Sequence, residues 1–446
     1  TKLVSLFVAL FATTALWAYD FKSGDLYYNI IETNNVKEVA VTYEKPENSS
    51  NYAGLTFIDI PTMVTYEGTT YNVTSIDAMA FHDCTSSSIT IPNSIVSIGE
   101  SAFEDCMSLT SIVIPNSVTS IGEEAFVSCT SLVSVSIGNG VTSIEGMVFE
   151  DCTALTTITI PNSVTSIGSN AFWGCTGLTS ITIPNSVTEI ENSAFSYCTG
   201  LTSITIPNSV TSIESSVFSN CTGLTSITIG NSVTTIECYA FYGCTSLTSV
   251  TIPNNVTSID YGTFEDCTSL NSVTIGNGVT SIGWRMFAGC AGLTSVVIGN
   301  NNELSIEAYA FSDCENLTSV TCYANVPPII VFNESNYDDE GNKLETPVLC
   351  GAFDTDRLPK MRLYVPANAI SLYKEAEEWK DFGRIAPIGA TTVDTDDEQP
   401  VVQPTFTDVT ITWKITPNAE SYTIAITRGT ETVCTLVFNA DGQLTN

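Results

Sequence analysis

The chain has 446 residues, of which 48 are acidic and only 14 are basic, so its formal net charge is −34. A surface this acidic repels phosphate backbones and anionic lipid headgroups, which argues against a nucleic-acid partner. The single histidine, His82, restricts any Ser-His or Cys-His catalytic arrangement to one place in the chain.

An apolar segment follows Lys2 and ends in small residues near Ala18. It is too short to span a membrane comfortably and has the features of a secretory leader. We therefore predict a signal peptide over residues 1–18 and a secreted or cell-surface protein. No later segment is predicted to span a membrane. Because Thr1 is not methionine, we expect further residues before it.

Residues 19–72 are rich in aromatic side chains and precede a long repeat. Each end of a repeat solenoid exposes core and needs a cap. We predict that this segment is the N-terminal cap, with a hairpin turn over residues 65–71 leading into the first unit.

A 23-residue unit recurs about eleven times over residues 73–322. Its cysteines are 23 residues apart except for a first step of 22 and a last step of 24, and a phenylalanine precedes each by three residues. A fixed period of this length predicts a solenoid, in which neighbouring units bury a shared core. The cysteines are Cys84, Cys106, Cys129, Cys152, Cys175, Cys198, Cys221, Cys244, Cys267, Cys290 and Cys314.

The first half of a unit predicts a strand. With Leu178 as position 1, period-two alternation makes positions 3 to 6 a short strand with Ile181 and Ile183 inward and Ser180 and Thr182 outward. Pro or Gly at position 7 and Asn at position 8 end the strand in a turn. We expect the stacked asparagines to bond to backbone groups of the neighbouring turn.

The second half of a unit predicts a short helix. Ala194, Phe195 and Cys198 occupy positions 17, 18 and 21, and this spacing gives one apolar stripe on a helical turn. Val187 and Ile190 are predicted to return to the core.

The cysteines are predicted to be buried thiols. Equivalent residues of stacked strands lie about 4.8 Å apart, and parallel Cβ vectors keep the Cβ atoms beyond the roughly 3.5–4.5 Å that a disulfide needs. The column also lacks the two-plus-two Cys/His spacing of zinc sites. A pairing of Cys322 with Cys350, which lie outside the column, is left open.

The period fails after Cys322, and residues 323–389 are predicted to form the C-terminal cap. Within it we predict an acidic loop over 333–346, a strand over 361–366 and a helix over 367–379.

Residues 390–404 are acidic, contain proline and are predicted to be a linker. Residues 405–446 contain alternating segments at 409–413 and 421–426 that resemble the start of a fibronectin type III or Ig-like sandwich. Such a domain needs about 90–100 residues, so we expect it to continue beyond Asn446.

The unit sequences Ile-Pro-Asn-Ser-Val-Thr-Ser-Ile and Ala-Phe-x-x-Cys closely resemble the BspA-like, treponemal-type leucine-rich repeat family. Residues 363–366 and 379–382 resemble the caps of that family, and the resemblance covers about 19–389. It implies a leucine-rich-repeat solenoid of short parallel β-strands and short helical turns, in an exported bacterial surface protein linked to adhesion or protein binding. It implies no catalytic residues and no cofactor, and it leaves the ligand open.

Two surfaces are candidate binding sites. The outward hydroxyls of the strands could bind glycans or order water, although a solvated β surface explains them equally simply; they include Ser180, Thr182, Thr205 and Thr228. Positions 15, 16, 19 and 20 carry aromatic residues, which are common in binding hot spots but also pack against neighbouring units. These residues are Trp173, Tyr197, Tyr239, Tyr242, Tyr261, Trp284 and Tyr309.

Acidic pairs such as Glu104-Asp105 and Glu265-Asp266 share positions 19 and 20. Calcium binding is disfavoured because no D-x-D-x-D-G loop is present, so no metal site is predicted. The leading functional hypothesis is a non-catalytic adhesion solenoid for host or neighbouring-cell proteins or glycans. The alternatives are a passive spacer that displays C-terminal domains and the repeat part of a larger exported enzyme. The oligomeric state is left open.

Overall fold

The computed structural model describes residues 19–33, 36–44, 52–337, 343–390, 409–414, 421–428 and 431–439. The predicted signal peptide and residues 391–404 of the predicted linker lie outside these ranges. Among the described residues no helix is long and apolar enough to cross a membrane.

Residues 19–390 contain a parallel β-solenoid of about 13 turns with almost no helix. All units except the one that begins at Leu178 contribute a long strand at positions 3–6. A short strand at positions 12–13, which was not predicted, is present as well. Equivalent strands pair in parallel and in register, as Ser134 does with Ser111. The long strands are Phe57–Asp59, Ser88–Thr90, Ser111–Ile114, Ser134–Ile137, Thr157–Thr159, Ser203–Thr205, Ser226–Thr228, Ser249–Ile252, Ser272–Ile275, Ser295–Ile298, Ser319–Cys322, Arg362–Val365 and Arg384–Pro387. The short strands are Ser97–Ile98, Ser120–Ile121, Ser143–Ile144, Ser166–Ile167, Glu189–Ile190, Ser212–Ile213, Thr235–Ile236, Ser258–Ile259, Ser281–Ile282, Ser305–Glu307 and Ile329–Val331.

The unit that begins at Leu178 departs from the strand prediction. Its positions 3–6 form no regular strand, and the sheet of long strands is interrupted there. Side-chain alternation is nevertheless as predicted, because Ile181 and Ile183 are buried while Ser180 and Thr182 are exposed. The short strand Glu189–Ile190 and the turns that follow it hold the unit in register.

The predicted short helix is wrong: positions 15–21, which we call the turn face, form two tandem turns. Ser193 and Tyr197 have left-handed φ angles of 57° and 59°, which an α-helix does not tolerate. The amides of Ser193, Phe195 and Tyr197 donate to carbonyls of the following unit at 3.0, 2.9 and 2.8 Å. The intervening amides close i→i−3 turns instead. The turn face is therefore a ladder of hydrogen bonds between units.

Phenylalanine rings fill the core behind this ladder. Twelve rings from Phe81 to Phe353 stack with centroids 4.9–5.5 Å apart and interplanar angles of 3–16°. Val187 and Ile190 are buried as predicted. Burying each such side chain contributes about 1.5–3 kcal/mol, which offsets a left-handed penalty of roughly 1–2 kcal/mol per residue.

The asparagine column bonds to the neighbouring unit where position 7 of that unit is glycine. The backbone amides of Asn139, Asn231 and Asn277 donate to the side-chain Oδ1 atoms of Asn116, Asn208 and Asn254 at 2.7–2.9 Å. Glycine is needed before the donor because a Cβ on Gly230 would lie 2.8 Å from the Pro207 carbonyl oxygen. The predicted side-chain ladder is therefore confirmed at these units.

The N-terminal cap closes the solenoid with antiparallel strands. Their bounds are Phe21–Ser23, Leu26–Thr33, Val36–Thr42, Met63–Tyr66 and Thr69–Ile76. The predicted hairpin is present, with Thr65 opposite Thr70, and Val36–Thr42 pairs in parallel with Thr69–Ile76. Tyr52 ends the ring column, its centroid 5.1 Å from that of Phe81.

The C-terminal cap resumes the repeat after an insertion. Instead of the predicted loop, Asn333–Tyr337 and Lys343–Cys350 form an antiparallel hairpin. Ala352 and Phe353 then occupy the next Ala-Phe positions, and Phe353 stacks 4.9 Å from Phe311. The predicted helix over 367–379 is limited to Ile370–Tyr373, with short 3₁₀ turns at Leu358–Lys360 and Trp379–Asp381.

Two carboxylates end the ladder of the turn face. Glu378 is buried, has a φ of 65°, and accepts the amides of Ala352 and Phe353 at 3.1 and 2.7 Å. Asp354 accepts the amide of Asp313 at 3.1 Å. Each carboxylate occupies the place that a carbonyl of a further unit would take. The helix itself ends at Tyr373, and the left-handed backbone comes later, at Glu378.

Beyond residue 390 a separate three-stranded antiparallel sheet contains Val409–Lys414, Ser421–Arg428 and Glu431–Asn439. The two predicted strands are present. One sheet does not support the predicted sandwich, which requires two packed sheets.

Replacing Glu378 with glutamine should lower the free energy of unfolding by about 1–3 kcal/mol, because its NH₂ group would face one of the two buried amides. Chemical denaturation measures this change. Glu375→Gln, at an exposed position in the same cap, is the matched control and should have little effect. Equal stabilities of the two variants would contradict the capping role.

Asp354 should make stability depend on pH. Burial and the nearby Asp313 carboxylate raise its pKa from 3.8 to about 6 in the folded protein. The Asp354 carboxyl therefore adds fully to the free energy of unfolding at a pH below its pKa in the unfolded chain. This contribution is lost as the pH rises through about 6, its pKa in the folded protein. Asp354→Asn, which keeps an acceptor oxygen, should melt above the wild type at pH 7.5, and the difference should shrink towards pH 4. A difference independent of pH would contradict this origin.

Candidate binding faces

The column cysteines are poor nucleophiles. From Cys106 to Cys314, each Sγ lies 3.1–3.3 Å from the carbonyl oxygen of the preceding unit's phenylalanine, as Cys198 does from Phe172. These thiols are buried as predicted, but each has a polar acceptor. Burial raises the pKa of Cys198 to about 12. No disulfide joins Cys322 and Cys350; the Tyr373 hydroxyl donates to the Cys322 Sγ at 3.1 Å.

Charge is segregated around the solenoid. Residues 73–322 contain 21 acidic side chains and one basic side chain, Arg285. From residue 86 to 300, every charged side chain stands at positions 12–20 of its unit. Over these residues the long-strand face, positions 3–6, is therefore uncharged, while positions 12–20, from the short strand to the turn face, carry the negative charge.

The predicted hydroxyl site lies on the uncharged long-strand face. Ser180, Thr182, Thr205 and Thr228 are all exposed. Threonines at positions 2 and 11 are different, because they donate to carbonyls of the preceding unit, as Thr202 does to Thr179 at 3.2 Å. These two threonine columns stabilise the stack, and their period was visible in the sequence.

The predicted aromatic residues form separate groups on the turn face. Trp173 and Tyr197 are in contact, with ring centroids 5.2 Å apart. Tyr239 contacts both Tyr242 and Tyr261 edge-on, at 5.6 and 5.1 Å.

Exposure differs among these rings. Tyr197, Tyr261 and Trp284 are 44, 41 and 36% exposed, so they are available to a partner. The remaining four are half-buried, namely Trp173, Tyr239, Tyr242 and Tyr309. Packing against neighbouring units therefore explains the four half-buried aromatic residues, and the three exposed rings remain candidates for binding.

Arg285 shows how the turn face holds a cation. Its Nε and Nη2 atoms lie 2.7 and 2.6 Å from Oε1 of the buried Glu265. Its guanidinium carbon lies 5.4 Å from the centroid of the Trp284 ring. Carboxylate and aromatic ring together stabilise the guanidinium by charge and by cation–π attraction. The repeat pattern does not predict this group, although Arg285 is the one basic residue in the repeats.

Stacked parallel strands, a buried Ile/Phe core and repeated turns define a leucine-rich-repeat solenoid. A family model described as the BspA type leucine rich repeat region matches six copies, within residues 55–178, 128–247 and 234–335. The chain belongs to this family. None of the curated proteins searched matches the sequence.

Solved structures are similar to this chain. A leucine-rich repeat protein from Bacteroides ovatus is 24% identical with a TM-score of 0.51, over 82% of this chain and 100% of that one. A leucine rich cell surface protein from Faecalibacterium prausnitzii is 25% identical with a TM-score of 0.46, over 83 and 95% of the two chains. The pneumococcal vaccine antigen PcpA is 19% identical with a TM-score of 0.45, over 68 and 93%.

The column thiols should be protected in the folded protein because they are buried, and they should react in denaturant without added reductant. Maleimide labelling followed by mass spectrometry measures this at pH 8. The half-exposed Cys238 is the internal control and should react in the native state. A column that reacts in denaturant only after reduction would contradict the absence of disulfides.

Proposed function

We propose that this protein is a secreted or cell-surface binding solenoid whose turn face holds a partner on another cell or in the matrix. The observation that carries the proposal is the clamp of Trp284 and Glu265 around Arg285. Exposed Tyr197 and Tyr261 extend the same face, and its acidic side chains have almost no basic neighbours. The role is binding and not catalysis.

The chemistry of this face favours a partner that presents lysine or arginine. Rings next to carboxylates attract ammonium and guanidinium groups, and one protein arginine already occupies such a position. Long-range attraction by the net charge of −34 also raises the association rate of a cationic partner. Repetition along the solenoid allows many weak contacts to add through avidity.

The uncharged long-strand face favours a different partner. Its exposed hydroxyls suit a neutral glycan, which gains nothing from the acidic turn face. The two faces can be separated experimentally because their side chains belong to different positions of the unit.

Substituting Tyr197, Tyr261 and Trp284 together with serine should weaken binding by about thirtyfold or more, since truncating a hot-spot side chain costs at least about 2 kcal/mol. Binding of the full chain is measured on immobilised matrix proteins, a glycan array and an alternating Arg-Gly peptide, with a Glu-Gly peptide as the charge control. Binding to the Arg-Gly peptide should fall steeply with added salt.

The matched variant changes Thr182, Thr205 and Thr228, on the long-strand face, to lysine. It should retain binding if the turn face is the site. Loss of binding in this variant alone would assign the site to the long-strand face. Failure of the full chain to bind any of these probes would favour a passive spacer.

A further inference from the structure

The only histidine of the chain lies beside an acidic pair of the next unit. His82 and Glu104 both occupy position 19, and Asp105 follows at position 20. The His82 Nε2 and Glu104 Oε2 atoms are 3.9 Å apart. One donor atom from each of the three side chains lies within 4.8 Å of the other two.

The ladder of the turn face fixes this arrangement. The amides of Phe81 and Asp83, on either side of His82, both donate at 2.8 Å, to the carbonyls of Ala102 and Glu104. The amide of Asp105 donates to Val127 at 2.9 Å. The two backbones that carry the three side chains are therefore held in register before any ligand binds.

An imidazole nitrogen with two carboxylates is a donor set for a first-row transition ion, since imidazole favours Zn²⁺ and its neighbours over Ca²⁺. Tetrahedral Zn²⁺ with bonds of about 2.0–2.2 Å places its donors about 3.4 Å apart. The observed separations, at most 4.8 Å, are larger, so binding requires side-chain rotations that bring the donors together. All three residues are half-buried, and the one basic residue of the repeats, Arg285, is bound to Glu265.

We propose that His82, Glu104 and Asp105 bind a first-row transition-metal ion, best matched by Zn²⁺, with water completing its coordination. The ion links the first two turns of the turn face near the N-terminal end of the solenoid. This site is independent of the proposed partner-binding function.

The repeat supplies a control within the same chain. Glu150 and Asp151 form an acidic pair at the same positions, but the residue that precedes Glu150 by one unit is Val127 instead of histidine. The substitution Val127→His should therefore create a second site with the same donor set.

The full chain, prepared without a polyhistidine tag, is titrated with Zn²⁺ by calorimetry and with Co²⁺ by visible absorption. We expect one equivalent in the wild type, none in His82→Gln, two in Val127→His, and one in the double variant. Zn²⁺ should raise the melting temperature of the wild type by about 2 °C or more and leave that of His82→Gln unchanged.

Unchanged binding in His82→Gln, or no saturable binding in the wild type, would overturn the proposal. Circular dichroism checks that each variant is folded. Should His82→Gln fail to fold, the Val127→His variant decides: a second equivalent supports the donor set, and no gain refutes it.

Discussion

Consecutive units are joined by backbone hydrogen bonds between their tandem turns, and the rest of the solenoid depends on this ladder. Three rungs connect each unit to the next from the turn of Phe81 to that of Phe264. The sheets of long and short strands are interrupted at several units, whereas the amides of the core phenylalanines continue the ladder from Phe81 to Phe311. Each rung contributes only about 0.5–1.5 kcal/mol, so the left-handed residues need the buried ring column as well.

This architecture separates the surfaces chemically. The side chains that maintain the stack are inward Ile, Phe and Cys and the threonines that donate to the preceding unit. Between residues 86 and 300 the outward positions of the long strands are uncharged, and the outward positions of the turns carry acids and aromatic rings. Sequence can therefore change at the turns without affecting the core, which is where Trp284, Arg285 and His82 occur.

The period of the sequence was sufficient to predict the solenoid, the inward positions and the exposed strand hydroxyls, because stacking repeats one environment in every unit. It did not predict the tandem turns, since the left-handed positions hold residues such as Ser193 and Tyr197 instead of glycine. Phe353 was missed because an insertion places it 42 residues after Phe311, although its Ala-Phe pair was a usable signal. The Arg285 clamp and the His82 cluster depend on contacts between units, which a single unit does not specify.

The Glu378 carboxylate also affects whether a further turn can stack on the C-terminal end of the solenoid. A turn with unpaired amides at its last rung is a template on which the first turn of another copy can stack, and a repeat protein with two open ends grows into a fibre. The Glu378 carboxylate occupies those amides with a group that offers no further strand or turn. The buried Glu378 thus closes the last rung of the ladder to a further turn.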